Sequence, residues 1–269
     1  MYYPIQIPYI LNKQFAESVK YTEEIITNLQ DFVLCIWEMQ PLTEKEALVE
    51  NIIIADGCID LIADFGEKQI IYCGMRKTDF NSKINSPAYL FGARFKPGAF
   101  YAITNVHATE AMDTFIQINK IDANFDIDSF FRLPFNEAKI FFKNYLGTLA
   151  YNKKPNMFIS LFDKLSNNIP DSVSEIYKLL NYSPMQCQRL FKKHFGLTPQ
   201  MALCIIRFQK CLEIIISGNA SPNDVLSVLN FHDQSHFIND FKKNIGVTPL
   251  ELVKKYTNGE FLQYNCFSL

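Results

Sequence analysis

The sequence lacks the features of a membrane or secreted protein. No apolar run reaches the ~18 residues that a helix needs to cross a bilayer, and the first residues have neither the basic nor the apolar region of a signal peptide. The seven cysteines are scattered, with no C-x-x-C pair among them. We therefore expect a cytoplasmic protein that does not enter a membrane and whose cysteines are reduced and mostly buried.

The sequence also has little that could support catalysis. Residues 1–155 contain one histidine, His107, whereas a catalytic metal site uses several His, Cys or carboxylate ligands. No G-x-S-x-G, P-loop, H-E-x-x-H or dinucleotide fingerprint occurs. Cys35, Cys58 and Cys73 have no neighbour in the sequence that marks them as redox-reactive. We expect no enzyme activity, no cofactor and no metal.

The strongest positive feature is a segment that occurs twice. Leu180-Asn181-Tyr182 followed by residues 191–199 returns as Leu229-Asn230-Phe231 followed by residues 241–249. Each copy reads as a helix, a short turn, a second helix, a glycine stop and a Thr-Pro restart. A repeat of this length indicates one supersecondary unit used twice, and this pattern is typical of a helix-turn-helix.

The second helix of each unit has one apolar face and one polar face. In the helix from Pro184 to Phe195, residues Cys187, Leu190, Phe191 and Phe195 form the stripe that we expect to be buried. The opposite face carries no acidic residue. Between the copies, residues 199–217 predict one linker helix of about 28 Å, close to the roughly 34 Å of a DNA turn, so the two units could enter successive major grooves.

Residues 157–256 resemble the DNA-binding domain of the AraC/XylS transcription regulators. The resemblance rests on the two units, the Phe-Lys-Lys-x-x-Gly-x-Thr-Pro signature in both, and a linker helix that carries Arg207. Asn181 and Asn230 replace the glycine usual in the turns, and both can adopt a positive φ. Residues 91–100 further resemble a strand-turn element of the cupin-like N-terminal domain in one subgroup of that family.

The resemblance implies a transcription regulator that binds double-stranded DNA, with RNA polymerase as a further partner if it is an activator. Residues 156–256 carry 11 Lys and Arg against 8 Asp and Glu, while residues 1–155 are net acidic. Phosphate contacts are expected from Lys192, Lys193, Lys242 and Lys243. The base-reading residues are then Met185, Gln188 and Arg189 in the first unit, and Gln234, Ser235, Ile238 and Asn239 in the second.

The predicted fold is α+β with two domains. Residues 1–152 are a sensor or dimerisation domain with a small β-barrel at about 31–105 and helices at about 106–152; residues 156–256 are the double helix-turn-helix, and 257–269 form a tail. Short strands separated by Gly turns favour the barrel. Residues 12–30 and 108–115 are read as helical, and Ser172 to Glu175 as a capping box. The helix at 136–151 either forms a homodimer contact or covers the barrel.

An effector pocket, if the barrel has one, is expected around Trp37, Tyr72 and Phe95. Arg94 either points to solvent or lines an anion-binding interior. Two other function classes are weighed: an enzyme or small-molecule receptor that retains a DNA-binding domain, and an effector-independent regulator controlled by a protein partner. Specific DNA binding would separate the first of these from a regulator.

Overall fold

The computed structural model describes residues 2–5, 13–43, 47–52, 55–74, 81–86 and 89–216, and five separate positions after residue 216. For the strands at 47–52 and 81–86 the backbone alone is described. None of the helices in these ranges is both long and apolar enough to cross a membrane. The strands are β1 (Val19–Glu24), β2 (Val33–Pro41), β3 (Ala47–Ile52), β4 (Ile59–Asp64), β5 (Gln69–Cys73), β6 (Asn81–Ser86), β7 (Leu90–Phe95) and β8 (Phe115–Gln117). The helices are α1 (Lys13–Ser18), α2 (Ala99–Thr104), α3 (Ile127–Arg132), α4 (Phe135–Ala150), α5 (Leu161–Asn167), α6 (Val173–Leu180), α7 (Pro184–Phe195) and α8 (Pro199–Ile216).

The N-terminal part is built on a six-stranded sheet in the order β1-β2-β7-β4-β5-β8, in which every paired neighbour is antiparallel. Strands β3 and β6 form a separate two-stranded ladder. Strand β4 alternates buried and half-buried residues, as its sequence predicts, so that Ile59, Leu61 and Ala63 enter the main core. The predicted two-part α+β fold is confirmed, although the described strands form two sheets and not one closed barrel.

The other face of the sheet carries a second, smaller core. Trp37 packs there with Phe15, Val19 and Met39. The indole of Trp37 lies across Gly92, its register partner on β7. The contact is so close that a Cβ at Gly92 would be only 2.6 Å from the Trp37 ring. A side chain at position 92 would therefore displace the tryptophan.

Two helix predictions in the N-terminal part were wrong in their extent. Of the described residues 13–30, Lys13–Ser18 form an α-helix and Thr27–Leu29 a 3-10 turn, whereas Val19–Glu24 form β1. That segment alternates in burial and pairs along its length with β2, so tertiary pairing outweighs its weak helical signal. In residues 108–115, a 3-10 turn at Ala108–Ala111 is followed by β8.

Helix α4 covers the main core of the sheet. Its buried residues are Ala138, Phe142 and Leu146, spaced by four, and the ring of Phe142 lies 5.1 Å from that of Phe91. A charged substitution at Phe142 would disrupt this core. The exposed apolar residues of α4 are Ile140 and Phe141.

Helices α5 to α8 form a separate core in the C-terminal part of the chain, which includes Phe162, Ile176, Phe191 and Leu203. The predicted capping box at Ser172 and Glu175 was wrong: the Ser172 side chain makes no capping hydrogen bond and instead lies 2.7 Å from the Ser174 hydroxyl. Linker helix α8 begins at Pro199 as predicted and is described to Ile216. Most of the second helix-turn-helix unit lies outside the described residues.

Candidate nucleic-acid interface

The turn of the first helix-turn-helix unit is fixed by local hydrogen bonds. Asn181 ends α6 with φ of 55°, in the left-handed conformation. Asparagine can adopt this conformation where a helix end usually has glycine. Ser183 then caps α7: its hydroxyl accepts from the Gln186 amide, and the Gln186 side chain accepts from the Ser183 amide. This capping box, with Pro184 at the first helical position, sets the start of the recognition helix. It was missed in the sequence, although Ser-x-x-Gln before an apolar stripe is its signal.

Helix α7 presents the predicted residues to solvent. Cys187, Phe191 and Phe195 are buried, as the stripe predicted, and Leu190 is half-buried. Met185 is 82% exposed and Arg189 is exposed, while Gln188 is half-buried. The buried and exposed faces of α7 therefore fall where the helical period puts them.

Linker helix α8 holds the loop that precedes α6. The guanidinium of Arg207 is buried and donates from Nη2 to the carbonyl oxygens of Pro170 at 2.8 Å and Asp171 at 2.9 Å. A buried arginine that satisfies two backbone acceptors ties the first unit to the linker helix. The orientation of α6 and α7 therefore depends on α8.

The two lysines at the end of α7 have different surroundings. Lys192 is exposed. Lys193 is half-buried, and its Nζ lies 4.6 Å from the ring centroid of Tyr101 in α2. This distance is that of a cation–π contact, so Lys193 is engaged by the N-terminal part of the chain.

The C-terminal end of α7 packs both on Phe158 of its own domain and on the N-terminal part of the chain. The imidazole of His194 stacks on Phe158 with ring centroids 3.9 Å apart and meets Tyr101 edge-on at 4.8 Å. Desolvation, with Lys193 and His107 nearby, lowers the pKa of His194 to about 4, so the ring is neutral at pH 7. Gly196 caps α7 with φ of 72°. It lies so close to Met112 that a Cβ at Gly196 would be 2.6 Å from the Met112 Cγ.

In the second unit, the described positions agree with a helix that exposes polar residues. Ile238 is half-buried, whereas Asn239 and Lys242 are exposed, and all three are helical. Thr248 and Glu251 exchange hydrogen bonds in a capping box at the second Thr-Pro restart. Gln234, Ser235 and Lys243 lie outside the described residues.

Of the three predicted pocket residues of the N-terminal part, two lie together and the third does not. Tyr72 and Phe95 stack in the main core with ring centroids 6.3 Å apart, and both are buried. Trp37 belongs to the smaller core on the opposite face of the sheet. Arg94 does not reach solvent; it is buried among carboxylates of the chain itself. Across the described ranges, no group of three or more His, Cys, Asp or Glu is arranged to hold a metal ion.

Two protein families match the chain. Residues 176–255 match a family described as a helix-turn-helix domain, and residues 26–117 match one described as a domain of unknown function (DUF6597). No curated protein matches it.

Solved structures with a similar arrangement include ToxT from Vibrio cholerae, at 12% identity and TM-score 0.39 over 88% of this chain and 98% of that one. ToxT from strain SCE256 with a bound unsaturated fatty acid has 11% identity and TM-score 0.38, over 88% and 93%. The C-terminal domain of AraT, a response regulator from Geobacillus stearothermophilus, has 22% identity and TM-score 0.32, over 35% and 80%.

The matched helix-turn-helix domain contains α7, the turn before it and both signature segments. The protein is therefore a DNA-binding transcription regulator. The two signature segments and the linker helix are the features on which the resemblance to the AraC/XylS regulators rests.

Proposed function

We propose that the first helix-turn-helix unit carries most of the sequence specificity, through Met185, Gln188 and Arg189. The observation that carries this proposal is the position of Arg189. It is exposed on α7, on the face away from the buried stripe, in a helix whose start is fixed by the Ser183 cap. An arginine so placed can donate two hydrogen bonds to guanine in the major groove.

The second unit adds a second contact with the same DNA face. Asn239 and Lys242 are exposed there, and Gln234, Ser235, Ile238 and Lys243 complete the expected set. Its base-reading residues include no arginine, so they supply fewer strong base contacts. Phosphate contacts from Lys192 and Lys242 orient both units without reading sequence.

Selection of bound duplexes from a random 30-base-pair pool with the full chain tests this function. We expect two conserved half-sites about one helical turn apart. The half-site that loses its base preference in the Arg189→Ala protein is the one read by the first unit. Recovery of sequences with no shared motif would contradict the proposal.

We infer that the N-terminal part regulates this DNA binding, in response to either a small-molecule effector or a protein partner. Direct packing of Tyr101 and Met112 against the end of α7 supports a regulatory role. Thermal melting against a metabolite library, compared with affinity capture of partners, distinguishes the two. The proposed function involves no catalysed reaction and places the protein in the cytoplasm, with RNA polymerase as partner if it activates.

We propose a homodimer through the outer face of α4, where Ile140 and Phe141 are exposed by 61% and 46%. Ile140→Glu should then give a folded monomer, since this side chain is the more exposed of the two. A wild-type protein that sediments as a monomer at micromolar concentration would exclude this dimer.

A further inference from the structure

A cluster of buried charges lies on the same face of the sheet as Trp37. The Nη1 of Arg94 is 3.0 Å from Oε1 of Glu23 on β1. Its Nε lies 3.6 Å from Asp56 Oδ2 and 3.5 Å from Asp60 Oδ1, both too long for a good hydrogen bond. The side chains of Arg94 and Asp56 are 7% and 8% exposed, and those of Glu23 and Asp60 are 20% and 18% exposed.

Among the residues that the structure describes, the thiols and tyrosine hydroxyls around this cluster are neutral. Burial raises the pKa of the Cys35 thiol to about 12 and raises that of Cys58 as well. It also raises the pKa values of the tyrosine hydroxyls that face the cluster. These hydroxyls belong to Tyr2 and Tyr3 in the N-terminal segment and Tyr21 on β1, and the last two donate to Glu23.

The charges in this cluster do not balance. With every carboxyl ionised, Glu23, Asp56 and Asp60 would surround the single positive charge of Arg94, leaving an excess of two negative charges in a desolvated site. Uncompensated buried charge is costly, and a bound proton reduces it. Asp60 is the carboxyl that desolvation affects most clearly: burial raises its pKa to about 7, against the opposing effect of Arg94.

The same cluster is joined to the helix-turn-helix domain. The loop that carries Asp56 reaches linker helix α8, where the Gln209 side chain donates to the Ala55 carbonyl oxygen at 3.1 Å. The adjacent Gly57 packs on Phe162 of α5 so closely that a Cβ there would be 2.8 Å from the ring. Residues 55–57 therefore belong both to the charge cluster and to the contact with the helices.

We propose that the carboxyl cluster around Arg94 binds one proton from solvent, at Asp60, and that this proton strengthens the contact of residues 55–57 with the linker helix. Ionised Asp60 competes with Asp56 for the Nε of Arg94. Once Asp60 is protonated, the Nε of Arg94 is left to Asp56, and the loop is held more firmly in the position that contacts Gln209. The proposal does not depend on which unit reads DNA.

The only tryptophan of the chain reports on this site, because Trp37 Nε1 donates to Asp60 Oδ2 at 2.9 Å. In the full chain, Trp37 emission should titrate with a midpoint near neutral pH. Asp60→Asn should abolish this titration, and Asp128→Asn, at an exposed carboxylate, should leave it unchanged. Glu23→Gln should lower the midpoint by about half a pH unit or more, because Arg94 then stabilises ionised Asp60 better.

Coupling to the linker helix is tested by reciprocity: a contact strengthened by the proton must in turn strengthen proton binding. Gln209→Met keeps the side-chain length but removes the bond to Ala55, and it should lower the Trp37 midpoint by about 0.3 units or more. The matched control is Lys210→Ala, on the same helix, whose side chain pairs with Glu213. An unchanged midpoint in Gln209→Met overturns the coupling. The proton site is overturned if Trp37 emission in the wild type does not titrate near neutral pH, or if the titration persists in Asp60→Asn. If Asp60→Asn does not fold, an unshifted midpoint in Glu23→Gln overturns the proton site.

Discussion

Lys193, at the end of the recognition helix, lies over the ring of Tyr101 in the N-terminal part of the chain, with its Nζ 4.6 Å from the ring centroid. Its neighbour Lys192 is exposed. Two adjacent lysines that look equivalent in the Phe-Lys-Lys signature are therefore in different states. One is available to a DNA phosphate, and the other is already bound within the protein.

This difference predicts unequal effects of removing the two lysines. Lys192→Ala should reduce the slope of log affinity against log salt concentration by about 0.9, the value for one phosphate contact. Lys193→Ala should change the slope much less in the full chain. Fluorescence anisotropy with one labelled duplex at several salt concentrations measures both slopes.

The matched control removes the ring that holds Lys193. Tyr101→Leu keeps an apolar side chain but abolishes the cation–π contact, which is worth about 0.5–1 kcal/mol at a partly exposed site. DNA affinity should then rise by about two- to fivefold, and Lys193→Ala in this background should show a full slope change. Equal slopes for both lysines in the wild-type background would contradict the interpretation.

The local features of the DNA-binding unit could be predicted from the sequence because they have short range. The stripe of Cys187, Phe191 and Phe195 follows the helical period, and Asn181 in the turn follows from the need for a positive φ. The same period correctly left Arg189 exposed. Each of these depends on residues within one or two helical turns.

The features that were missed depend on residues far apart in the chain. The residues next to Lys193 in the sequence do not predict its contact with Tyr101, and those next to Gln209 do not predict its hydrogen bond to the Ala55 carbonyl oxygen. Strand β1 was read as helical because its pairing with β2, and not its own composition, decides its conformation. The pocket prediction failed to join Trp37 with Tyr72 because the two side chains leave opposite faces of one sheet.

Arg189→Ala should weaken binding to the selected duplex by about 5- to 150-fold, which corresponds to the roughly 1–3 kcal/mol of a bidentate contact with guanine. Binding to random duplex should fall much less, because base readout contributes little there. Titrations of both duplexes at one salt concentration give the ratio.

Two further variants make this result interpretable. Phe191 is fully buried in the core of the unit, so Phe191→Ala should cost about 3–5 kcal/mol of stability and lower binding to both duplexes alike. Asn239→Ala tests the second unit. A full-affinity Arg189→Ala protein alongside a weakened Asn239→Ala protein would make the second unit the main reader.

His194 should make the protein less stable as pH falls. Its folded pKa of about 4 lies below the ordinary value of 6.5, so between these values the unfolded chain binds a proton that the folded protein excludes. Stability from this group is therefore complete above pH 6.5 and is lost as pH falls toward 4. His194→Phe, which can still stack on Phe158, should lack this loss.

The measurement is the difference in melting temperature between His194→Phe and wild type, because other titrating groups, Asp60 included, are common to both. The difference should shift in favour of His194→Phe by about 2 °C or more between pH 7 and pH 5. A difference that stays constant with pH would show that His194 titrates alike in the folded and unfolded chain.

Gly196 should tolerate no side chain, for two separable reasons. Its φ of 72° costs an alanine about 1–2 kcal/mol in the backbone alone. A Cβ would also lie 2.6 Å from Cγ and 2.8 Å from Sδ of Met112. Gly196→Ala should therefore lower the free energy of unfolding by more than the backbone cost, as measured by urea denaturation of the full chain.

Met112→Ala separates the two contributions, because it removes the clashing atoms but leaves φ unchanged. In a double-mutant cycle, the cost of Gly196→Ala should fall to about 1–2 kcal/mol in the Met112→Ala background. The matched glycine is Gly147 in α4, where a Cβ would meet nothing within 4 Å. Gly147→Ala should instead stabilise the protein by about 0.5–1 kcal/mol, the ordinary gain for alanine in a helix. If Gly196→Ala lowers the free energy of unfolding equally in the wild-type and Met112→Ala backgrounds, α7 is not in close contact with the N-terminal part at this point.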